Sequence, residues 1–237
     1  MDKGRIQKFA VWARIALIEQ VKLQAYWYGV TEEGCGELGT TAVNGKTLTP
    51  EEWDQRAALV REVADKSYPQ VTEEAAYTWF NRFIALRFLE VNGYLPSHVR
   101  VFSDPEGRFQ PEILSAALEV ELPGLDRGYI EDGIQENRTE ELYRYLLLCQ
   151  CNALHEALPV MFERENHWTN LLLPDHLLKE DGVLEKLVNE IPEDDWKSEE
   201  IIGWMYQYHN IDDPGKAPGD HLPGPLHGKR ARSDLCL

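Results

Sequence analysis

Ala76-Tyr77-Thr78-Trp79-Phe80-Asn81-Arg82-Phe83-Ile84-Ala85-Leu86-Arg87-Phe88-Leu89-Glu90-Val91-Asn92-Gly93-Tyr94-Leu95-Pro96 is the stretch on which the fold turns. Wound at 3.6 residues per turn, it places apolar side chains almost all round. That pattern belongs to a helix enclosed by protein, not to one lying on a surface. Thr72-Glu73-Glu74 reads as its start and Asn92-Gly93 as its stop, because a glycine past the last turn takes the left-handed conformation that closes a helix. Asn81, Arg82 and Arg87 stand out as polar groups on an apolar background.

Upstream, Ile6, Phe9, Ala13, Ala16, Leu17 and Val21 recur at helical spacing and predict an amphipathic helix that packs on something. Thr31-Glu32-Glu33-Gly34-Cys35-Gly36 has no period and reads as the beginning of an exposed loop over about 30–48. Thr49-Pro50-Glu51-Glu52 is a strong helix start: a threonine cap, proline at the first position and glutamate at the third together satisfy the free amides of a first turn. That helix is expected to run to about Lys66.

Downstream, His98-Val99-Arg100-Val101-Phe102 alternates and is followed by the turn residues Asp104-Pro105-Glu106-Gly107, a pattern that allows one small hairpin. Helices are predicted over 139–158, 182–190 and from Glu193 through Tyr208, the last with Ile201, Trp204, Met205 and Tyr208 on one face. The expected class is all-α: an irregular multi-helix module with room for one short β-hairpin. Three regions follow: 1–68 as N-terminal helices with the loop, 69–210 as a helical module, and 211–237 as a disordered Pro/Gly-rich tail that cannot bury a core.

The 237 residues carry a net charge of −17, unevenly. Residues 1–103 hold 12 basic and 13 acidic groups, residues 104–213 hold 8 and 26, and residues 214–237 hold 4 and 2. Because DNA is bound mainly through its phosphates, the acidic second half is a poor phosphate-tracking surface, and contact is expected from the first half. Lys3, Arg5, Lys8, Arg82 and Arg87 are the nucleic-acid candidates. For the last two a structural alternative stands beside it: ion pairs to the acidic half across a helix interface. The apolar runs are too short to cross a bilayer, which with the unpatterned cysteines points to a cytoplasmic protein without a membrane partner.

No catalytic, metal or cofactor-binding set emerges. Cys149 and Cys151 lie two apart and point to opposite sides of a helix, so only Cys151 with His155 could share an ion, and no second pair completes the site. Phosphate-loop, dinucleotide and nucleophile-elbow motifs are absent from the sequence.

Six segments, in order, resemble one known family. They are Asp2-Lys3-Gly4-Arg5-Ile6-Gln7-Lys8-Phe9-Ala10, Leu48-Thr49-Pro50-Glu51-Glu52, the 76–96 stretch, Glu141-Leu142-Tyr143-Arg144-Tyr145-Leu146-Leu147, and Ile191-Pro192-Glu193-Asp194-Asp195-Trp196 with Ile201-Ile202-Gly203-Trp204-Met205-Tyr206-Gln207-Tyr208. The chain is similar over about 1–210 to the N-terminal region of PglX, the adenine-specific DNA methyltransferases of bacterial BREX phage-defence systems. A shorter echo, Asn81-Arg82 with the aliphatics and Arg87-Phe88 that follow, resembles the helical region ahead of the catalytic domain in type I and single-chain restriction-modification enzymes.

The resemblance implies transfer of a methyl group from S-adenosylmethionine to the N6 of adenine in DNA, with the base turned out of the duplex. It also implies other BREX defence proteins as partners. The family's catalytic loop is Asn/Asp-Pro-Pro-Tyr/Phe, and this chain has no Pro-Pro pair and no Phe-x-Gly-x-Gly. No catalytic or cofactor residue carries over, and S-adenosylmethionine is expected in the full-length family only. The chain is therefore expected to be the front of such an enzyme, cut off by an interrupted reading frame or by deliberate truncation, and not catalytic alone. The competing expectation is a stand-alone acidic interaction protein: a DNA mimic, or an adaptor docking through Ile201, Trp204 and Tyr208.

Overall fold

The fold is seen in a computed structural model that describes residues 1–37, 39–162 and 167–209. Its first helix, α1 (Lys3–Trp27), starts where the Asp2 side chain accepts the Arg5 amide at 3.2 Å. Ile6, Phe9, Ala13, Leu17 and Val21 are all buried, the stripe that their three- and four-residue spacing requires. The chain leaves α1 through Gly29, whose φ of +67° and the Val43 side chain, 2.6 Å from where a Cβ would stand, admit no larger residue.

Two short antiparallel pairs occupy the segment expected to be a loop: β1 (Val30–Thr31) with β2 (Gly34–Cys35), and β3 (Ala42–Val43) with β4 (Lys46–Thr47). The second is turned by Asn44-Gly45 with φ of +48° and +82°, an Asn-Gly pair being the strongest short hairpin signal. Thr49 then caps α2 (Pro50–Asp65) with both arms of a capping box formed, worth roughly 1 kcal/mol.

The central helix, α3 (Tyr68–Val91), begins a turn earlier than Thr72-Glu73-Glu74 suggests. Ser67 caps it by accepting the Gln70 amide at 3.4 Å, and Thr72 is instead a buried residue donating to the Tyr68 and Pro69 carbonyls at 3.0 Å each. It ends at Asn92 and Gly93 (φ +69°) as expected. Val71, Ala75, Trp79, Phe80, Phe83, Ile84 and Leu86 are buried on all sides.

The hairpin expected over 98–107 does not form. The Val101 and Phe102 amides donate to one oxygen of the buried Glu90 carboxylate, at 2.7 and 2.9 Å, so the ladder donors a hairpin would use are already satisfied. Short helices α4 (Glu112–Ser115) and α5 (Arg127–Gln135) follow. Next comes α6 (Thr139–Leu154), which stops short of the expected 158 as the His155 ring pairs with the Phe162 carbonyl at 2.6 Å. Last are α7 (Trp168–Leu171), α8 (Val183–Asn189), α9 (Glu193–Trp196) and α10 (Glu200–His209), the final two replacing one continuous helix. Ten helices and two strand pairs among the described residues make the all-α class plain.

Pairing of α1 with α3 and of α10 with both builds the centre, and α2 joins α3 and α7 at one side. Buried residues from Ile6 to Tyr208 form one contiguous cluster. The tail over 211–237, with its basic run at 229–232, lies outside the described residues. No helix among the described residues is long and apolar enough to cross a membrane.

Candidate functional site

The five basic residues picked from the sequence separate into two environments. Arg82 and Arg87 belong to the interior, at 1% and 0% exposure. Arg82 donates from Nε to the Met161 carbonyl at 3.2 Å and from a terminal nitrogen to Asn170 Oδ1 at 2.9 Å, with its guanidinium 4.7 Å from the Trp79 ring. Arg87 pairs with Glu90, donates to Ser103 Oγ at 3.0 Å, and reaches Glu193 at 3.3 Å. Arg100 holds the same Glu193 oxygen at 2.5 Å. Both guanidinium groups are enclosed by their own chain and tie α3 to segments that lie far on in sequence: Arg87 does so through an ion pair to Glu193 in the acidic half, the arrangement given as the structural alternative, and Arg82 through a carbonyl and an amide oxygen.

Lys3, Arg5 and Lys8 are exposed at the start of α1. Arg5 and Lys8, three residues apart, share a helix face. Lys3 turns toward α10, its ammonium 3.8 Å from the centre of the Trp204 ring. Acids stand close by: Asp2 lies 3.9 Å from Arg5, and Asp195 of α9 is 3.0 Å from the amino terminus. The positive field at this end is accordingly local and weak.

Ile201 and Tyr208, at 0% and 3% exposure, face the core with Met205. The face suggested for an adaptor is therefore used within the fold, against α1 and α3. Cys149 and Cys151 are buried, and burial pushes the Cys151 thiol up to about 12. Among the described residues no group of three or more metal-ligating side chains converges.

Sequence reasoning missed two features. Arg56, 1% exposed, is a clamp: it donates to the carbonyls of Tyr28, Gly36 and Glu37 at 2.7, 3.2 and 3.2 Å, fixing the turn between α1 and the hairpins. The other is an open cleft of about 880 Å³ bounded by the end of α1, the second hairpin, the start of α2, α6 and the segment 170–177. Within it Glu52 accepts from Lys46 at 2.7 Å, from Tyr28 Oη at 2.8 Å and from the Thr49 amide at 3.0 Å. Arg144 donates into the carbonyls of Leu173, Pro174 and Asn170. No sequence period announces this cleft, since five separated segments make it.

Comparison with known proteins adds what the geometry alone does not hold. No protein-family model matches the chain. It is 36% identical over 221 residues to the protein named adenine-specific methyltransferase BrxX from Escherichia coli O9:H4 (strain HS), covering 88% of this chain. It is 37% identical over 241 aligned residues to adenine-specific methyltransferase PglX from Lacticaseibacillus casei (strain Zhang), covering 90% of this chain. The chain spans 18% and 20% of those relatives' lengths. Its kinship is thus with adenine-specific methyltransferases. Within that class the chain belongs with PglX and BrxX over the fifth of them that it spans, as the ordered segments of the sequence imply.

Proposed function

We propose that the chain is the N-terminal helical portion of a PglX-like, S-adenosylmethionine-dependent DNA adenine-N6 methyltransferase of a BREX phage-defence system, a scaffold without chemistry of its own. The observation that carries this reading is identity of 36–37% over about nine-tenths of the chain to proteins five times longer. A helical unit with its long helix enclosed and two arginines tied inward suits a bracing element. In the full-length enzyme, DNA contact from this part would come through Lys3, Arg5 and Lys8, and other BREX proteins would assemble on the whole.

A chimera tests the proposal. Residues 1–209 of this chain replace the matching fifth of a functional PglX, and N6-methyladenine is measured in host DNA. Restored methylation is expected. A chimera that folds, binds S-adenosylmethionine and leaves DNA unmethylated would sink the reading.

A further inference from the structure

We propose that the cleft between the end of α1, the second hairpin and α6 is a docking site for a basic, partly apolar polypeptide segment. It stands apart from the methyltransferase reading and rests on three observations. First, the lining is electrostatically one-sided: five carboxylates (Glu51, Glu52, Glu140, Glu141 and Asp175) face two cations, Lys46 and Arg144. Both cations are engaged by the wall, Lys46 with Glu52 at 2.7 Å and Arg144 with three backbone carbonyls and Asp175 at 3.5 Å, and Arg138 at the rim holds Glu141 at 3.1 Å. Glu51 and Glu140 accept from neutral donors, Gln55 at 3.1 Å and the Leu178 amide at 3.2 Å, so an excess of negative charge remains. A phosphate backbone is repelled there, and a cation is attracted.

Second, the cleft is walled by aromatic rings that already receive cations from the chain itself. The Lys46 ammonium lies 4.6 Å from the centre of the Tyr28 ring, and the Arg138 guanidinium 5.3 Å from that of Tyr129. Tyr145 packs on Tyr129 at 4.7 Å. These occupied rings display the chemistry, ring face below and carboxylate beside, that a lysine or arginine reaching the exposed Trp27 beside the acidic lining would repeat.

Third, the cleft does not end at its rim. Trp27, a lining residue 44% exposed, continues into Tyr26 and Leu23, each 51% exposed, along the outer side of α1. Neighbouring exposed apolar residues of this kind suit a partner's aliphatic side chains. A small amine would leave most of 880 Å³ empty, whereas an extended peptide can fill the cleft with its cations and lay its apolar residues on α1.

The test uses the full chain and a fluorescein-labelled nine-residue peptide alternating arginine and leucine, followed by anisotropy at near-physiological salt. Binding is expected, with Trp27→Ala and Glu141→Lys each weakening it and the pair together weakening it by about tenfold or more. Trp27 and Glu141 are exposed, so both variants should fold, and circular dichroism checks that they do. Control substitutions Glu199→Gln and Glu200→Gln, on acids elsewhere, should leave affinity unchanged. Equal weakening by the controls would mean attraction to the net charge alone and would overturn the proposal. So would absence of binding, or a Trp27-dependent affinity for oligothymidylate in place of the peptide.

Discussion

Arg87 on α3 and Glu193 at the start of α9 meet at 3.3 Å across 106 residues of chain, with Arg87 fully buried and Glu193 34% exposed. The same guanidinium neutralises Glu90, whose carboxylate also receives the Val101 and Phe102 amides. One arginine therefore orders the start of the 101–104 segment and docks α9. Removing it leaves a buried carboxylate without its counter-charge, so Arg87→Ala should cost about 3–5 kcal/mol. Replacing both partners, as Arg87→Met with Glu90→Gln, should cost less than the single change. Urea unfolding monitored by circular dichroism measures both; an unaltered midpoint for Arg87→Ala would contradict the assignment.

Arg82 makes a related prediction with a different readout. Its bonds to the Met161 carbonyl and Asn170 tie α3 to the segment around α7. Arg82→Ala should lower stability by about 1–3 kcal/mol and leave the salt dependence of any DNA binding unmoved. Arg5→Ala with Lys8→Ala should do the opposite: an unchanged melting midpoint, and a log–log salt slope for DNA shallower by about one unit per charge removed. If Arg82→Ala instead flattened the slope while the fold held, the interior assignment would be wrong.

Trp79 donates its indole N–H to the Thr169 carbonyl at 2.9 Å, both residues being buried. Trp79→Phe retains a ring but removes the indole donor, leaving the Thr169 carbonyl to the Leu172 amide at 3.1 Å. The expected loss is about 0.5–1.5 kcal/mol, the net value of one hydrogen bond, read as a lower unfolding midpoint. Phe at this position with full stability would show that the bond contributes nothing.

The second hairpin should respond to acid. Burial raises the Glu52 carboxyl, but hydrogen bonds from Lys46, the Thr49 amide and Tyr28 outweigh it and hold the group below its ordinary 4.5. Its contribution is complete above pH 4.5 and disappears as pH falls through the depressed folded value. For Lys46, burial lowers the ammonium while Glu52 and Tyr28 more than compensate, lifting it above 10.5. That contribution is complete below pH 10.5 and is lost as pH rises through the elevated value. Amide protection factors at β3 and β4, corrected for the intrinsic pH dependence of exchange, should therefore be highest between these limits and fall in acid, and should be lowered by Glu52→Gln at neutral pH. A flat profile would dismiss the Lys46–Glu52 tie.

Thiol chemistry offers a last check. With Cys151 buried and its thiol raised to about 12, thiolate is scarce near neutrality, and Cys149 is buried beside it. Alkylation by iodoacetamide should be at least about a hundredfold slower for this pair in the native chain than in urea. Rapid native labelling of Cys151, located by mass spectrometry, would show that α6 opens readily.

Local signals made much of this legible. The stripe Ile6, Phe9, Ala13, Leu17 and Val21 is buried because helical periodicity and hydrophobicity act within a few turns. Thr49-Pro50-Glu51-Glu52 starts its helix because capping needs only neighbouring residues. The Asn44-Gly45 turn was equally local. It is overlooked when the whole segment is read as glycine-rich loop.

What tertiary structure decided is the meaning of charge and alternation. In sequence, Arg82 and Arg87 are cations on a helix; only packing brings Asn170 and Glu193 to them and turns phosphate candidates into core ties. His98-Val99-Arg100-Val101-Phe102 alternates like a strand, yet Glu90 takes its amides, a partner no local pattern announces. The cleft, assembled from five separated segments, has no signature along the chain at all. Sequence alone determined the longer helices α1, α2, α3 and α6 to within a turn and, through ordered likeness, the kinship with PglX, since both are carried by residues in order along the chain. Burial and encounter belong to the folded state, where residues up to about a hundred positions apart set one another's chemistry.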